Sequence, residues 1–273
     1  NQPEKTKYAE AKIKKFLIGN NIKVILLGND NKPLERLWLK AAREVGIISV
    51  VYQHGIWAAN NMLPYQADGW AADYLFVYDK YHKDLMLSFG MDEQKIIIVG
   101  FPKVESNNNV QRLNNSVCII GSAGFSSGYG DYFEGVNTNI ARTLSKAGFE
   151  VFYRPHPIEI SHKKIEVNED VTKIILQEPL SDALKKYQLY VGFASTMLIE
   201  CSLSGGVSIQ IIEDNIDVID FQIMQYAHSV RQEKLLQLVS KCALEQLSLA
   251  LPSELSSKEM AIHLNKLADI HFE

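Results

Sequence analysis

One histidine of this sequence lies between two prolines. His156 belongs to the segment Arg154-Pro155-His156-Pro157, which directly follows an apolar run. Each proline fixes its own φ and disfavours helix at the residue before it, so the imidazole is held rigidly where the run ends. The pattern indicates a functional histidine beside an arginine. The competing interpretation is a turn that carries a solvated histidine.

A pair of hydroxyl residues opens a second candidate segment. Ser195 and Thr196 follow another apolar run and begin a predicted helix, which carries Glu200 about one turn later. A helix N-terminus offers free N–H groups and a favourable dipole for an anion, so the segment predicts a phosphate site, with ordinary helix capping as the alternative. Glu200 lies in the apolar stretch MLIECSL, where a buried carboxylate needs a partner such as ribose hydroxyls. A plain surface carboxylate is the alternative.

Two further segments carry residues that could do chemistry. Gln53-His54-Gly55 follows an apolar run, and Gly55 lets the chain turn so that His54 can face a crevice or cap a neighbouring loop. The Gly/Ser-rich loop that begins with Gly121-Ser122 is typical of a phosphate cradle or of a mobile lid. It matches neither GxGxxG nor the P-loop pattern, which disfavours a dinucleotide or ATP enzyme.

The elements that must position these residues alternate between short apolar runs and longer helical patterns. This alternation predicts βαβ units and an α/β fold of two Rossmann-like domains with C-terminal helices. Ligands of such sheets bind outside the carboxyl ends of the strands, where the candidate residues fall. The predicted domains are 1–102 and 117–273, joined by an Asn-rich linker at 103–116. The predicted strands are 24–27, 47–52, 74–78, 96–99, 117–121, 151–154, 174–177, 189–193 and 207–212. The predicted helices are 33–45, 80–89, 134–147, 181–186, 196–203, 231–244 and 258–268.

Composition excludes several classes of function. The chain has 273 residues, enough for two domains, and its net charge of −4 supplies no broad cationic face for nucleic acid. Its apolar stretches are far shorter than the roughly 18 residues that span a bilayer. Three cysteines without CxxC spacing indicate a reducing compartment and no metal site. We therefore expect a cytoplasmic protein.

The first residues of the sequence are polar and rich in lysine. A start at Asn1 rather than Met is typical of an excised piece of a longer chain. The basic residues predict either a solvated helix face or a peripheral contact with the anionic inner face of a membrane. They are Lys5, Lys7, Lys12, Lys14 and Lys15.

Taken in order, these segments resemble those of glycosyltransferase-B (GT-B) fold enzymes that use cytidine nucleotides. Such enzymes include HP-motif bacterial sialyl- and polysialyltransferases, capsule Kdo transferases and CDP-glycerol glycerophosphotransferases. The resemblance is carried by Gln53-His54-Gly55, by IIIVGFP at 96–102, by Arg154-Pro155-His156-Pro157 and by Ser195-Thr196 with Glu200. It implies an N-terminal acceptor domain that faces a C-terminal nucleotide-sugar domain across a cleft.

The resemblance also implies a role for each candidate residue. His156, Ser195 and Thr196 would hold the phosphate of the donor, and Glu200 would hold its ribose. Arg154, Pro157, Gly121 and Ser122 would complete the nucleotide site. The general base would come from the first domain, where His54 resembles the histidine of the family's His-Gly motif, and His156 would stabilise the departing CMP. Asp30 is a second candidate for the base because of its position after the first predicted strand. No metal ion or other cofactor is implied.

We therefore expect an inverting glycosyltransferase that moves a sugar acid, such as sialic acid or Kdo, from CMP to a glycan or lipid-linked glycan of a bacterial capsule or lipopolysaccharide. One alternative is a CDP-polyol phosphotransferase or a UDP-sugar glycosyltransferase of the same fold. An alternative of another class is a catalytically silent nucleotide-sugar-binding domain.

Overall fold

The contacts of the chain divide it into two units. The first comprises Asn1–Lys103 with Ser253–Glu273, and the second comprises Val104–Pro252. In the part of the chain that the structure describes, no helix has the length and apolar character needed to cross a bilayer. The computed structural model describes residues 2–30, 32–53, 55–57, 71–101, 111–122, 124, 128–168, 173–193, 195–214, 221–223, 225–245 and 257–269.

The first unit is built on a parallel sheet in which strands that follow one another along the chain lie side by side. The strands pair in the order β1-β2-β3-β4, so each connection crosses over the sheet. They are β1 (Val24–Leu27), β2 (Ile48–Tyr52), β3 (Tyr74–Val77) and β4 (Ile96–Ile98). The helices of its N-terminal part are α1 (Gln2–Gly19), α2 (Pro33–Glu44) and α3 (Lys80–Ser88), with a 3-10 turn at Glu93–Lys95.

Local sequence explains where these helices begin and end. Pro33 occupies the first turn of α2, where a missing N–H costs nothing, and Gly46 follows its end with a φ of +70° that favours glycine. Asp79 caps α3, because its side chain accepts a hydrogen bond from the backbone N–H of His82 at 2.9 Å. These local signals fix the start of each helix a few residues after the end of a strand, β1 for α2 and β3 for α3.

The second unit contains a six-stranded parallel sheet in the order β10-β9-β8-β5-β6-β7. The strands are β5 (Leu113–Ile120), β6 (Glu150–Arg154), β7 (Lys173–Ile174), β8 (Tyr187–Gly192), β9 (Val207–Ile211) and β10 (His228–Val230). The helices are α4 (Gly130–Lys146), α5 (Pro157–His162), α6 (Leu180–Lys186), α7 (Thr196–Leu203) and α8 (Leu235–Glu245), with a 3-10 turn at Gln232–Lys234.

Strand β5 lies at the centre of this topology. The chain leaves it towards β6 and β7 on one side and returns to β8 on the other side. Because the strand order reverses between β5 and β8, a crevice opens beyond their carboxyl ends. Val117 and Ile119 of β5 are fully buried, as expected for a central strand covered on both faces.

Several features differ from the sequence-based expectation, and helix α5 matches none of the predicted helices. The C-terminal helix α9 (Ser257–Asp269) contributes Leu267 to a core cluster of the first unit, although the predicted second domain extends to 273. Strand β5 begins at Leu113, inside the predicted linker 103–116, and 102–110 lie outside the described residues. Strand β10 lies between the predicted strand 207–212 and the predicted helix 231–244, where no element is predicted from the sequence. Helical periodicity predicts that an element exists, but it does not specify the core against which the element packs.

The packing of α9 in the first unit is testable by truncating Leu267, which is 4% exposed. We expect Leu267→Ala to lower the free energy of unfolding of this unit by about 2–4 kcal/mol. Urea unfolding followed by tryptophan fluorescence isolates the unit, since the three tryptophans Trp38, Trp57 and Trp70 all belong to it. Ile262→Ala, at a 36% exposed position of the same helix, is the control and should cost less than about 1 kcal/mol. Equal losses in the two variants would contradict this packing.

Candidate functional site

A cavity of about 440 Å³ lies at the carboxyl ends of β5, β6 and β8 in the second unit. Its size is ordinary for a small-molecule site. The cavity is lined by every residue that the sequence analysis places in a nucleotide site, namely Gly121, Ser122, Arg154, His156, Pro157, Ser195, Thr196 and Glu200. Residues far apart in sequence meet here because parallel strands end at the same edge of a sheet.

Part of the cavity wall was not anticipated from the sequence. It is aliphatic and comprises Ile160, Ile175, Leu176 and Leu180. Leu176 is 56% exposed and Leu180 is 43% exposed. Isolated aliphatic residues near strand ends carry no sequence signal that separates a site wall from ordinary core.

The ring of His156 is oriented by the helix that it caps. Its Nδ1 accepts a hydrogen bond from the backbone N–H of Ile158 at 3.2 Å. An accepting Nδ1 carries no proton, so the neutral ring carries its proton on Nε2. Burial lowers the pKa of His156, which keeps the ring neutral near pH 7. Among the described residues Nε2 has no hydrogen-bond partner, so its N–H is available to a ligand.

A buried carboxylate supports the backbone at His156. Glu159 is fully buried, and its carboxylate accepts hydrogen bonds from Tyr153 Oη at 2.9 Å, from the His156 N–H at 3.0 Å and from the Glu166 N–H at 3.1 Å. Burial is the main cause that raises the pKa of Glu159. Sequence reasoning missed this residue, although its position three residues after His156 has the spacing of a capping box.

Gly121 fits against this carboxylate only because it has no side chain. A Cβ at this position would collide with Glu159 Oε1 and approach the backbone nitrogen of His156 to 2.7 Å. The backbone N–H of Gly121 also donates to the carbonyl oxygen of Arg154 at 2.9 Å. The chain that leaves β5 is therefore fixed directly against the chain that leaves β6.

Helix α7 points its N-terminus towards the cavity. Ser195 is the N-cap, and its Oγ accepts from the Met197 N–H at 3.3 Å while its carbonyl accepts from the Leu198 N–H at 2.9 Å. Among the described residues, the N–H of Thr196 is left without a hydrogen bond. Ser195 thus has the ordinary capping role, and the helix still offers one N–H and its positive dipole end to an anion.

Glu200 and Arg154, two charged residues that line the cavity, differ in the interactions that their side chains make within the protein. The carboxylate of Glu200 has no hydrogen-bond or ion-pair partner among the described residues, and burial raises its pKa. Arg154 lies 3.8 Å from Glu178, whose carboxylate already binds Lys186 at 2.6 Å and Tyr187 Oη at 3.1 Å. Arg154 is therefore only loosely engaged within the protein.

The candidates in the first unit are less completely described. His54 lies outside the described residues. The turn beside it is fixed by the buried side chain of Gln53, which accepts from the Tyr78 N–H at 3.0 Å and donates to the Gly55 carbonyl at 2.7 Å. The carboxyl group of Asp30 is buried, with Oδ2 3.5 Å from the Ala71 N–H. A role as general base stays a prediction for both candidates.

Comparisons with known proteins identify the fold. No family model matches the sequence, and a search of curated proteins finds no match. A UDP-GlcNAc 2-epimerase from Neisseria meningitidis bound to UDP-GlcNAc has a TM-score of 0.67 and 14% identity over 98% of this chain and 82% of its own. A UDP-GlcNAc 2-epimerase from Methanocaldococcus jannaschii has a TM-score of 0.64 and 15% identity, covering 97% of this chain and 83% of its own. A glycosyltransferase from Rickettsia africae has a TM-score of 0.56 and 12% identity, covering 88% and 71% respectively.

These similarities show that the chain has an α/β fold of two parallel-sheet Rossmann-like domains of the GT-B type, as the sequence predicts. At such identities they show the fold alone. The expected similarity to cytidine-nucleotide enzymes in particular is not found in these structures, of which one holds a UDP-sugar. That narrower assignment stays a prediction.

The tight contact at Gly121 predicts a strong effect of one methyl group. We expect Gly121→Ala to destabilise the protein by about 1–3 kcal/mol, because either the Glu159 carboxylate or the His156 backbone must move. Gly135→Ala is the control, since its Cβ would meet open space on an exposed position of α4. The control should be neutral or stabilising by about 0.5–1 kcal/mol. The free energy of unfolding is measured in urea by circular dichroism. Equal free energies for both variants and the wild type would contradict the tight contact at Gly121.

The lowered pKa of His156 predicts a pH-dependent contribution to stability. An unperturbed histidine titrates near 6.5 and folded His156 titrates below it, so the unfolded chain binds the proton first as the pH falls. The free energy of unfolding then decreases below about pH 6.5. His156→Asn retains an N-cap acceptor but no titrating group. We expect the wild type to lose stability relative to this variant between pH 7.5 and 5.5; a constant difference would contradict the lowered pKa.

Proposed function

We propose that the chain is a glycosyltransferase whose second domain binds the nucleotide of an activated sugar. The observation that supports this proposal is the single cavity lined by the ring of His156, the N-terminus of α7 and the carboxylate of Glu200. These are donors for a phosphate and an acceptor for hydroxyl groups. A nucleotide-sugar presents both kinds of group a few ångströms apart.

The phosphate is bound between His156 and α7 in this proposal. The Nε2–H of His156 and the N–H of Thr196 are two donors without partners among the described residues, and both residues line the cavity. The helix dipole adds a favourable potential for an anion. Ser195 Oγ accepts from Met197, and its own hydroxyl proton is left to donate to a phosphate oxygen.

The ribose is bound by Glu200. Residues 196 and 200 are one helical turn apart and lie on the same face of α7, so a ligand held at the N-terminus extends over Glu200. The half-buried carboxylate can accept hydrogen bonds from a vicinal diol. The aliphatic wall at Leu176 and Leu180 then offers an apolar surface to the base.

The motif order of the sequence, rather than the charge of the cavity, supports the choice of donor. Among the described lining residues, Arg154 is the one permanently charged cation, and His156 is neutral. A CMP-activated sugar acid carries one negative charge on its phosphodiester and one on its sugar carboxylate, and a UDP-sugar carries two on its diphosphate, so the charge of the cavity does not separate the two donors. The cytidine-type motif order of the sequence supports a CMP-activated sugar acid as the donor.

Transfer would proceed with inversion at the anomeric carbon. The bond from this carbon to the phosphate oxygen breaks, its electron pair remains on CMP, and the donors at His156 and α7 stabilise the charge that develops. The acceptor hydroxyl attacks the opposite face and loses its proton to a general base, for which His54 and Asp30 are the candidates from the sequence. The acceptor is a glycan or lipid-linked glycan at the inner face of a membrane.

A second candidate is an enzyme that acts on a UDP-sugar. It is favoured by the similar structure from Neisseria meningitidis, which contains UDP-GlcNAc in the same fold. The two candidates share the phosphate and ribose contacts and differ in the base and in the number of phosphates. Nucleotide selectivity therefore separates them.

A thermal-shift titration with CMP, CDP, UDP, GDP and ADP tests the proposal. At one hundred times its dissociation constant, a ligand of the folded state adds about 2.7 kcal/mol, which raises the melting temperature by several degrees. We expect the largest shift with CMP, and we expect His156→Asn and Ser195→Ala to reduce it. The matched control is His162→Asn, which replaces an exposed histidine of the same helix that lies outside the cavity lining.

The other outcomes have defined meanings. If UDP alone raises the melting temperature, the second candidate, a UDP-sugar enzyme, is supported instead. If no nucleotide raises the melting temperature, both candidates are refuted. A shift with CMP but no turnover of CMP-sialic acid or CMP-Kdo, with acceptor glycan supplied, indicates a silent binding domain.

A further inference from the structure

The hydrogen bonding of Glu159 goes beyond that of an ordinary helix cap. A capping-box glutamate accepts from one backbone N–H and is commonly exposed. Glu159 is fully buried and accepts from three donors, with no ion pair among the described residues. Burying a carboxylate without a cation is costly, and a neutral cap would serve the six-residue helix α5 as well. The stability of that helix alone therefore does not explain a buried carboxylate at this position.

The three donors to Glu159 come from different parts of the site. Tyr153 lies in β6, His156 follows that strand, and Glu166 lies beyond α5. Gly121 from the end of β5 packs against the same carboxylate. One carboxyl group thus connects the two strand ends that form one side of the cavity.

A second buried carboxylate extends this connection. Glu166 is fully buried, and its Oε2 accepts from Ser122 Oγ at 3.2 Å. Its carbonyl oxygen accepts from the Asn137 side chain of α4 at 2.8 Å. The backbone of Glu166 is therefore held independently of α5, and it provides Glu159 with a fixed anchor.

We propose that Glu159 is a positioning residue, which holds the backbone of His156 in place against the end of β5 so that Nε2–H of His156 points at the donor phosphate. The inference rests on the proposed nucleotide site. Glu159 is not among the described residues that line the cavity. Its effect on binding passes entirely through His156.

A double-mutant cycle on the full chain tests this dependence. The dissociation constant of CMP, or of UDP if that nucleotide gives the larger thermal shift, is measured by calorimetry for the wild type, Glu159→Gln, His156→Asn and the double variant. The side-chain amide that Glu159→Gln introduces would place an N–H donor opposite one of the three donors that the carboxylate now accepts from. We therefore expect the variant to bind the nucleotide about tenfold more weakly. In the His156→Asn background the same change should alter affinity less than about twofold.

Two further variants separate positioning from general stability. Tyr153→Phe removes one anchor of Glu159 and should weaken binding in the same His156-dependent way, which keeps the test decisive if Glu159→Gln does not fold. Tyr190→Phe removes a buried hydroxyl that donates to the Ala183 carbonyl at 2.6 Å and lies outside the cavity lining. It should lower the free energy of unfolding and leave nucleotide affinity unchanged.

The outcomes distinguish this inference from the function on which it rests. If the wild type binds no nucleotide, both fail. If the wild type binds nucleotide, and Glu159→Gln and Tyr153→Phe either leave affinity unchanged or weaken it equally with and without His156, the positioning role alone is refuted.

Discussion

The hydrogen bond from the Ile158 N–H to His156 Nδ1 determines what the candidate site can do. It leaves the proton of the neutral ring on Nε2 and so makes His156 a donor towards the cavity. Pro155 and Pro157 restrict the backbone on both sides of His156. The carboxylate of Glu159 accepts a hydrogen bond from the His156 backbone N–H. If this ring were free to rotate, the cavity would lose a defined donor, and an anion would be held by α7 and Arg154 alone.

The topology of the second sheet places this donor beside a helix N-terminus. Strand β5 is flanked by β6 and β8, so His156 at the end of β6 and Ser195 at the end of β8 lie on either side of Gly121. A side chain at 121 would displace the segment that follows β6, because its Cβ has no space against Glu159 and the His156 backbone. The residue directly after the central strand therefore allows the segment that carries His156 to pack closely against it.

Much of this arrangement could be predicted from the sequence, because parallel strands bring their carboxyl ends together whatever lies between them. Arg154-Pro155-His156-Pro157 and Ser195-Thr196 were recognisable as strand-end segments, and both line the cavity. Glu159 was not recognisable, since its spacing from His156 also fits an ordinary exposed cap. The packing of α9 against the first unit could not be predicted either, because an amphipathic pattern does not indicate which surface the apolar face of a helix covers. The short edge strand β10 has three residues, too few for a periodic signal.

We propose that this cavity binds the phosphate of a nucleotide through His156 and the N-terminus of α7. A crystal structure of the chain with CMP, and a second with UDP, would test this proposal most directly. We expect a phosphate oxygen about 3 Å from His156 Nε2 and from the Thr196 nitrogen, with the ribose hydroxyls at the Glu200 carboxylate. A nucleotide bound elsewhere, with no contact to His156, would contradict it.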